Sequence, residues 1–344
     1  MELLRSDTLD LALHVSHSLN LAGGTDRASL VSPAERAPYD VAMTISRQEE
    51  PPLIRVLHDE SRPDLRNPAG PRPIRLYLWE PEHPPAAPAP LVVVSHGTGG
   101  SGSNMDWLVH PLREAGFRVL ALDHHGNNFI DGYEPEGFLH PWERPRDVSF
   151  ALDALARERP LGPVGAAGFS LGGYTAVALA GARIDPQIVW AVFTGALPLP
   201  EIPEFPGVLE ALRKKYPVDE SSRSALNAAA ADLTDPRVRA VFQVAPGVGA
   251  LVTPESLATV RVPVGIRWGG ADTVNPYEVD IRPYLEHIPT ASGHSAGPDV
   301  RHDDFFAPEP SDPAVRVRVG KEAAAFFLHH LDAPAAAAAT DVAN

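Results

Sequence analysis

Two stretches, Leu53-Ile54-Arg55-Val56-Leu57-His58 and Ile74-Arg75-Leu76-Tyr77-Leu78-Trp79, alternate apolar and polar residues. A period of two puts one face of a strand on a core and the other in solvent, so both are expected as half-buried antiparallel strands. After a proline-rich connector at 81–90 the pattern changes. Leu91-Val92-Val93-Val94-Ser95 is a continuous β-branched run, the signature of a strand buried on both faces of a parallel sheet. Helical spacing follows over 106–115, then an apolar strand at 117–122. A helix over 145–159 carries Val148, Leu152 and Leu155 on one face. The short run 163–167 and a small-residue helix at 174–182 come next. Further strands at 238–244 and 262–268 and a closing helix at 313–331 complete the alternation. Strands alternating with helices predict a mostly parallel, doubly wound α/β sheet.

One segment breaks the alternation. Residues 184–236 hold Trp190, Phe193, Leu197, Leu199, Ile202, Phe205, Leu209, Leu212 and Tyr216 among several prolines. A structureless loop of that length is uncommon in a compact domain, so the segment is expected to form a helical cap. Its apolar side would then roof a site, with Trp190, Phe193 and Phe205 as candidate substrate contacts. The expected organisation is an N-terminal extension at 1–52, a core at 53–183 and 237–332, the cap at 184–236, and a disordered tail at 333–344. The leucine spacing over 3–21 suits a surface helix or a lid.

Composition narrows the function classes. The chain has 344 residues and a net charge of −15, which disfavours nucleic acid and anionic membranes as partners. No cysteine is present, which excludes disulfides and thiolate metal sites. No run approaches the ~18 apolar residues of a membrane span. The first residues lack a basic n-region, so they do not read as a signal peptide. A cytoplasmic location is therefore the expectation.

The chemistry concentrates at Gly168-Phe169-Ser170-Leu171-Gly172-Gly173. A G-x-S-x-G sequence between a strand and a helix forms a nucleophile elbow, which exposes the serine hydroxyl at the C-terminal edge of the sheet. A serine nucleophile needs a base, an orienting acid and donors for an oxyanion. Leu171 N–H supplies one donor. The loop His96-Gly97-Thr98-Gly99-Gly100-Ser101 follows the first parallel strand and offers Thr98 N–H as the second. The clearest acid is Asp272, in Trp268-Gly269-Gly270-Ala271-Asp272, just past a strand end, where open α/β sheets present ligand-facing groups. His287 reads as a surface residue. Spacing leaves His294 and His302 equal as bases. His124 and His125 beside Asp123 read as loop residues, since adjacent side chains diverge and no second cluster has ligand spacing. No metal or cofactor is expected.

With these residues in place, the chain resembles the bacterial α/β-hydrolases called predicted dienelactone hydrolases, relatives of the platelet-activating-factor acetylhydrolases and, more distantly, of cutinase-like polyester hydrolases. The resemblance runs through Asp59-Glu60-Ser61-Arg62, the glycine loop at 95–101, Leu122-Asp123-His124-His125-Gly126-Asn127 and Arg144-Pro145-Arg146-Asp147. It continues through the elbow and Asp235-Pro236-Arg237-Val238 to His302-Asp303-Asp304-Phe305-Phe306-Ala307-Pro308. It implies an α/β-hydrolase fold and makes His302 the catalytic base. There are two departures. The loop at 245–250, where some relatives carry the acid, has no carboxylate, which leaves Asp272. True dienelactone hydrolases use a cysteine nucleophile, which this chain lacks.

The resulting expectation is a serine hydrolase that cleaves a small-molecule carboxylic ester or lactone with Ser170, His302 and Asp272. An acyltransferase or cyclase would use the same groups up to deacylation. A non-catalytic ligand-binding homologue is the third reading.

Overall fold

The computed structural model describes residues 51–82 and 88–331; the readings made for 1–50, 83–87 and 332–344 lie outside the described residues. Eight strands form the main sheet: β1 (Leu53–Pro63), β2 (Pro71–Trp79), β3 (Leu91–Ser95), β4 (Arg118–Asp123), β5 (Val164–Phe169), β6 (Val238–Val244), β7 (Val264–Gly269) and β8 (Ala291–Gly297). Their spatial order is β1-β2-β4-β3-β5-β6-β7-β8. The alternating strands β1 and β2 pair antiparallel, and β2 pairs antiparallel with β4. All remaining pairings are parallel. The continuous apolar runs β3, β4 and β5 are buried along their whole length. Helices cover both faces there, so no polar alternation survives. This is the α/β-hydrolase fold.

Two apolar layers flank the sheet. On one side α1 (Asp106–Glu114) and the closing helix α7 (Val315–Leu331) bury Leu108, Leu112, Val319 and Phe327 against Val92, Val94 and Phe242. On the other side α2 (Glu143–Glu158) and α3 (Leu171–Ala178) bury Val148, Leu152 and Tyr174 against Val93, Leu120 and Val241. Phe193, Leu212 and Leu226 belong to this second layer, so segment 184–236 packs as a continuation of the body's core.

That segment folds into α4 (Pro186–Thr194), α5 (Val208–Lys215) and α6 (Glu220–Leu226). Asp185 caps the first of them through Gln187 N–H, and Gly195 ends it in the left-handed region. Helix α3 begins at Leu171 and ends at Ala178, not over 174–182. The glycines that resemble a turn in sequence lie inside its first turn, where the helix presses onto β3.

Candidate active site

The elbow is built from a close approach. Ser170 has φ 54° and ψ −122°, in the positive-φ region that L-residues rarely occupy. Its N–H donates to Val244 O at 2.9 Å, and its carbonyl accepts from Gly173 and Gly247 N–H at 2.8 and 3.1 Å. A Cβ at Gly168 would stand 2.0 Å from Gly172 O, and one at Gly172 would stand 2.0 Å from Ser95 O. Any side chain at either position would push strand and helix apart. The strain at Ser170 is thus held by two positions that admit only glycine.

Ser170 Oγ lies 3.1 Å from His302 Nε2, and His302 Nδ1 lies 2.7 Å from Asp272 Oδ2. All three side chains are buried. The two oxygens of Asp272 divide their work. Oδ1 accepts from the N–H groups of Val274 and Asn275 at 2.9 and 2.8 Å, which shapes the loop and leaves Oδ2 for the imidazole. His302 opens a short turn, His302–Phe305, whose Phe305 is fully buried. Phe169 and Phe306 pack beside the ring, with centroids 4.9 and 6.2 Å away. His294 lies on edge strand β8, more than half exposed, 3.2 Å from Glu322. His287 ends the short helix Arg282–His287.

Thr98 and Leu171 both face one apolar cavity. Leu171 is the first residue of α3, so its N–H has no partner within the helix. The loop that carries Thr98 is braced from below. Gly99 N–H donates to Asn127 Oδ1 at 2.6 Å, and Tyr133 Oη donates to Gly99 O at 3.0 Å. Arg144 donates to His96 O. His124 N–H donates to His96 Nε2 at 3.2 Å, which fixes that ring's tautomer: its Nδ1 donates to Gly97 O at 2.6 Å. His124 in turn lies between Ser95 Oγ, at 2.7 Å, and Asp147 Oδ2, at 3.3 Å. Arg72 grips Asp147 with two donors, at 2.8 and 3.2 Å.

Burial sets the charges of this network. It lowers His124 to about 3 and His96 well below its ordinary value, so both rings are neutral. It pulls Arg144 down to about 9. Burial works to raise Asp147, but Arg72, the His124 hydrogen bond and Arg62 outweigh it and hold the carboxyl below the usual range. Loop 245–249, whose Gly247 N–H donates to Ser170 O, contains two further strained residues, Ala245 and Val248, with φ 42° and 56°. Asp280 Oδ1 accepts from Gly249 N–H at 3.0 Å, and Tyr284 Oη donates to Gly247 O at 2.9 Å. Burial first, then nearby Asp272, raises Asp280 to about 7.

The cavity measures about 160 Å³. Phe193, Leu199, Ile202 and Leu209 of segment 184–236 line it, together with Phe138, Leu139 and Val248. Of the three cap aromatics singled out in the sequence, Phe193 lines the space. Trp190 stands behind it, its centroid 5.9 Å from that of Phe193, and Phe205 packs edge-on against Phe138 at 5.5 Å.

The sequence reading missed Asn275. Its Nδ2 donates to Ala245 O at 2.8 Å and lies 3.4 Å from Ser170 Oγ. An asparagine three residues after the acid, inside the turn that acid caps, is a signal that could have found it. It also missed the wall residues Phe138 and Leu139, which lie on a five-residue helix, Pro135–Leu139, too short for any periodicity. Among the described residues no group of three or more His, Asp or Glu is arranged to hold a metal, and no helix is long and apolar enough to cross a membrane.

The family model for serine aminopeptidase, S33, matches residues 86–302. No curated protein matches the sequence. Among solved structures, a ferulic acid esterase from Streptomyces cinnamoneus superposes with TM-score 0.53 and 18% identity, over 82% of this chain and 89% of that one. A dienelactone hydrolase from Anabaena variabilis gives TM-score 0.47 at 17% identity, over 82% of this chain and 100% of that one. A cold-adapted esterase from an Arctic intertidal metagenomic library gives 0.48 at 12%, over 81% and 93%. At 18% identity the likeness to the ferulic acid esterase is one of fold.

Proposed function

The chain belongs to the serine aminopeptidase S33 family of α/β-hydrolases, and from that premise we propose that it hydrolyses a small-molecule carboxylic ester or lactone through an acyl-enzyme on Ser170. The observation that carries this reading is the line from Ser170 Oγ to His302 Nε2 at 3.1 Å and from His302 Nδ1 to Asp272 Oδ2 at 2.7 Å, set at a strained elbow. Ser170 Oγ attacks the carbonyl carbon while its proton passes to His302 Nε2. The oxygen takes the charge and lies between the N–H groups of Leu171 and Thr98. Asp272 Oδ2 orients the ring and stabilises it as imidazolium. When the carbon–oxygen bond to the leaving group breaks, His302 returns the proton to the departing alkoxide. Water, deprotonated by the same nitrogen, then releases the acid and restores Ser170. Asn275 Nδ2, anchored on Ala245 O, lies 3.4 Å from the serine oxygen and can donate to it.

Among α/β-hydrolases the chain resembles the predicted dienelactone hydrolases and acetylhydrolase-like proteins most in the glycine loop at 95–101 and the His302–Pro308 segment. The test is labelling with a fluorophosphonate. Wild type should carry the label on Ser170. Ser170→Ala and His302→Ala should lose aryl-ester hydrolysis by about 10⁴-fold or more, and His294→Ala should keep it. A label on another serine, or an inactive His294→Ala beside an active His302→Ala, refutes the assignment.

A further inference from the structure

We infer that the cavity under the cap receives the acyl half of the substrate, and that the acyl group is uncharged and no larger than one aromatic ring or a chain of about six carbons. The inference rests on the proposed role of Ser170 and adds the substrate class.

The side of the serine decides which half enters. The cavity is lined by Thr98 and Leu171, and by no residue of the loops that carry Asp272 and His302. His302 Nε2 has to reach the leaving oxygen to protonate it. The leaving group must therefore lie toward His302, beside Phe169 and the half-exposed Phe306. A carbonyl whose oxygen meets the Leu171 and Thr98 N–H groups then sends its other substituent, the acyl chain, under the cap.

Size and polarity decide the class. The volume of about 160 Å³ compares with a cavity of about 150 Å³ that takes up benzene in another protein. Thr98 is the only residue in the lining with a polar side chain; the rest are aliphatic, aromatic or proline. A charged group would lose its water there without gaining a partner. An aminoacyl substrate of the kind the family's description suggests would bring an ammonium beside the scissile carbonyl, and the lining supplies no carboxylate for it. The acyl groups that fit are plain alkanoyl or benzoyl-type ones.

The full-length enzyme should be assayed on 4-nitrophenyl esters from acetate to decanoate, on the benzoate, and on the 4-nitrophenyl esters of leucine and of 4-methylpentanoic acid. A buried methylene contributes about 0.8 kcal/mol, which converts to about fourfold in kcat/KM. The profile should climb by about that factor per methylene to roughly six carbons and then flatten or fall. Benzoate should match hexanoate within about tenfold, and the leucine ester should run at least tenfold below its amine-free counterpart. Filling the space with Val192→Trp should lower the hexanoate-to-acetate ratio by tenfold or more. Should that variant not fold, the wild-type profile decides alone. A flat profile, or a preferred leucine ester, on enzyme whose Ser170 takes the fluorophosphonate overturns the acyl assignment and leaves the hydrolase reading standing. No label on Ser170 overturns both.

Discussion

The two flanks of Ser170 hold their loops by opposite electrostatics. On the Thr98 side the braces are charged: Arg144 grips the His96 carbonyl, Asp147 is locked by Arg72, and both histidines between them are neutral. The strained loop 245–249, bonded to Asn275 at one end and facing the cavity through Val248 at the other, is tied to Asp280, a carboxyl raised to about 7, and to the phenol of Tyr284. One flank keeps Asp147 ionised by pairing it with Arg72 and Arg62, while Arg144 is lowered by burial. The other favours keeping its buried carboxyl protonated. His124 and Asp147 take protons more readily when unfolded, so their contribution is full above the ordinary values of about 6.5 and 3.8 and is lost as pH falls below them. Asp280 takes its proton more readily when folded, so its contribution is full below 3.8 and is lost as pH rises through about 7.

Breaking the charged flank should produce the larger effect. Arg144→Met would leave the His96 carbonyl buried without its donor and free the chain leading to Thr98. A drop in kcat on the order of 10- to 100-fold is expected, with KM changing less, because an oxyanion donor acts mainly in the transition state. Arg144→Lys should recover part of kcat. Equal loss in kcat and KM, or a kcat that follows thermal stability alone, would show that Arg144 only supports the fold.

Sharpening the neutral flank should produce the smaller one. Asp280→Asn keeps an oxygen that can accept from Gly249 N–H but cannot ionise. Between pH 5 and 8 the melting temperature of wild type should fall relative to this variant by a few degrees, since about 1 kcal/mol shifts a domain of this size by roughly 2–4 °C. Parallel curves would show that Asp280 does not titrate in this range.

Legibility in the sequence followed the tightness of the contacts. Positions 168 and 172 admit no Cβ, so the elbow appears as a fixed string of letters. β3 and β4 are buried on both faces, and their uniform apolar runs say so. The base was ambiguous between His294 and His302 because nothing in spacing alone reports which way a side chain faces; a parallel edge strand turns one of them to solvent. The cavity was legible only in outline. Its walls come from Phe138, Phe193 and Val248, on three separated segments, and only the pairing of cap with body fixes the volume between them. Asn275 and Arg144 each donate to a backbone carbonyl from an isolated position, which leaves no periodic trace.

The proposed hydrolysis turns on a covalent acyl group at Ser170. The most direct test is an acid quench during turnover of 4-nitrophenyl hexanoate, followed by proteolysis and mass spectrometry of the peptides. A hexanoyl group is expected on the peptide that contains Ser170 and is expected to be absent from Ser170→Ala. A hexanoyl group on another residue, or turnover that continues undiminished in Ser170→Ala, would contradict the proposal.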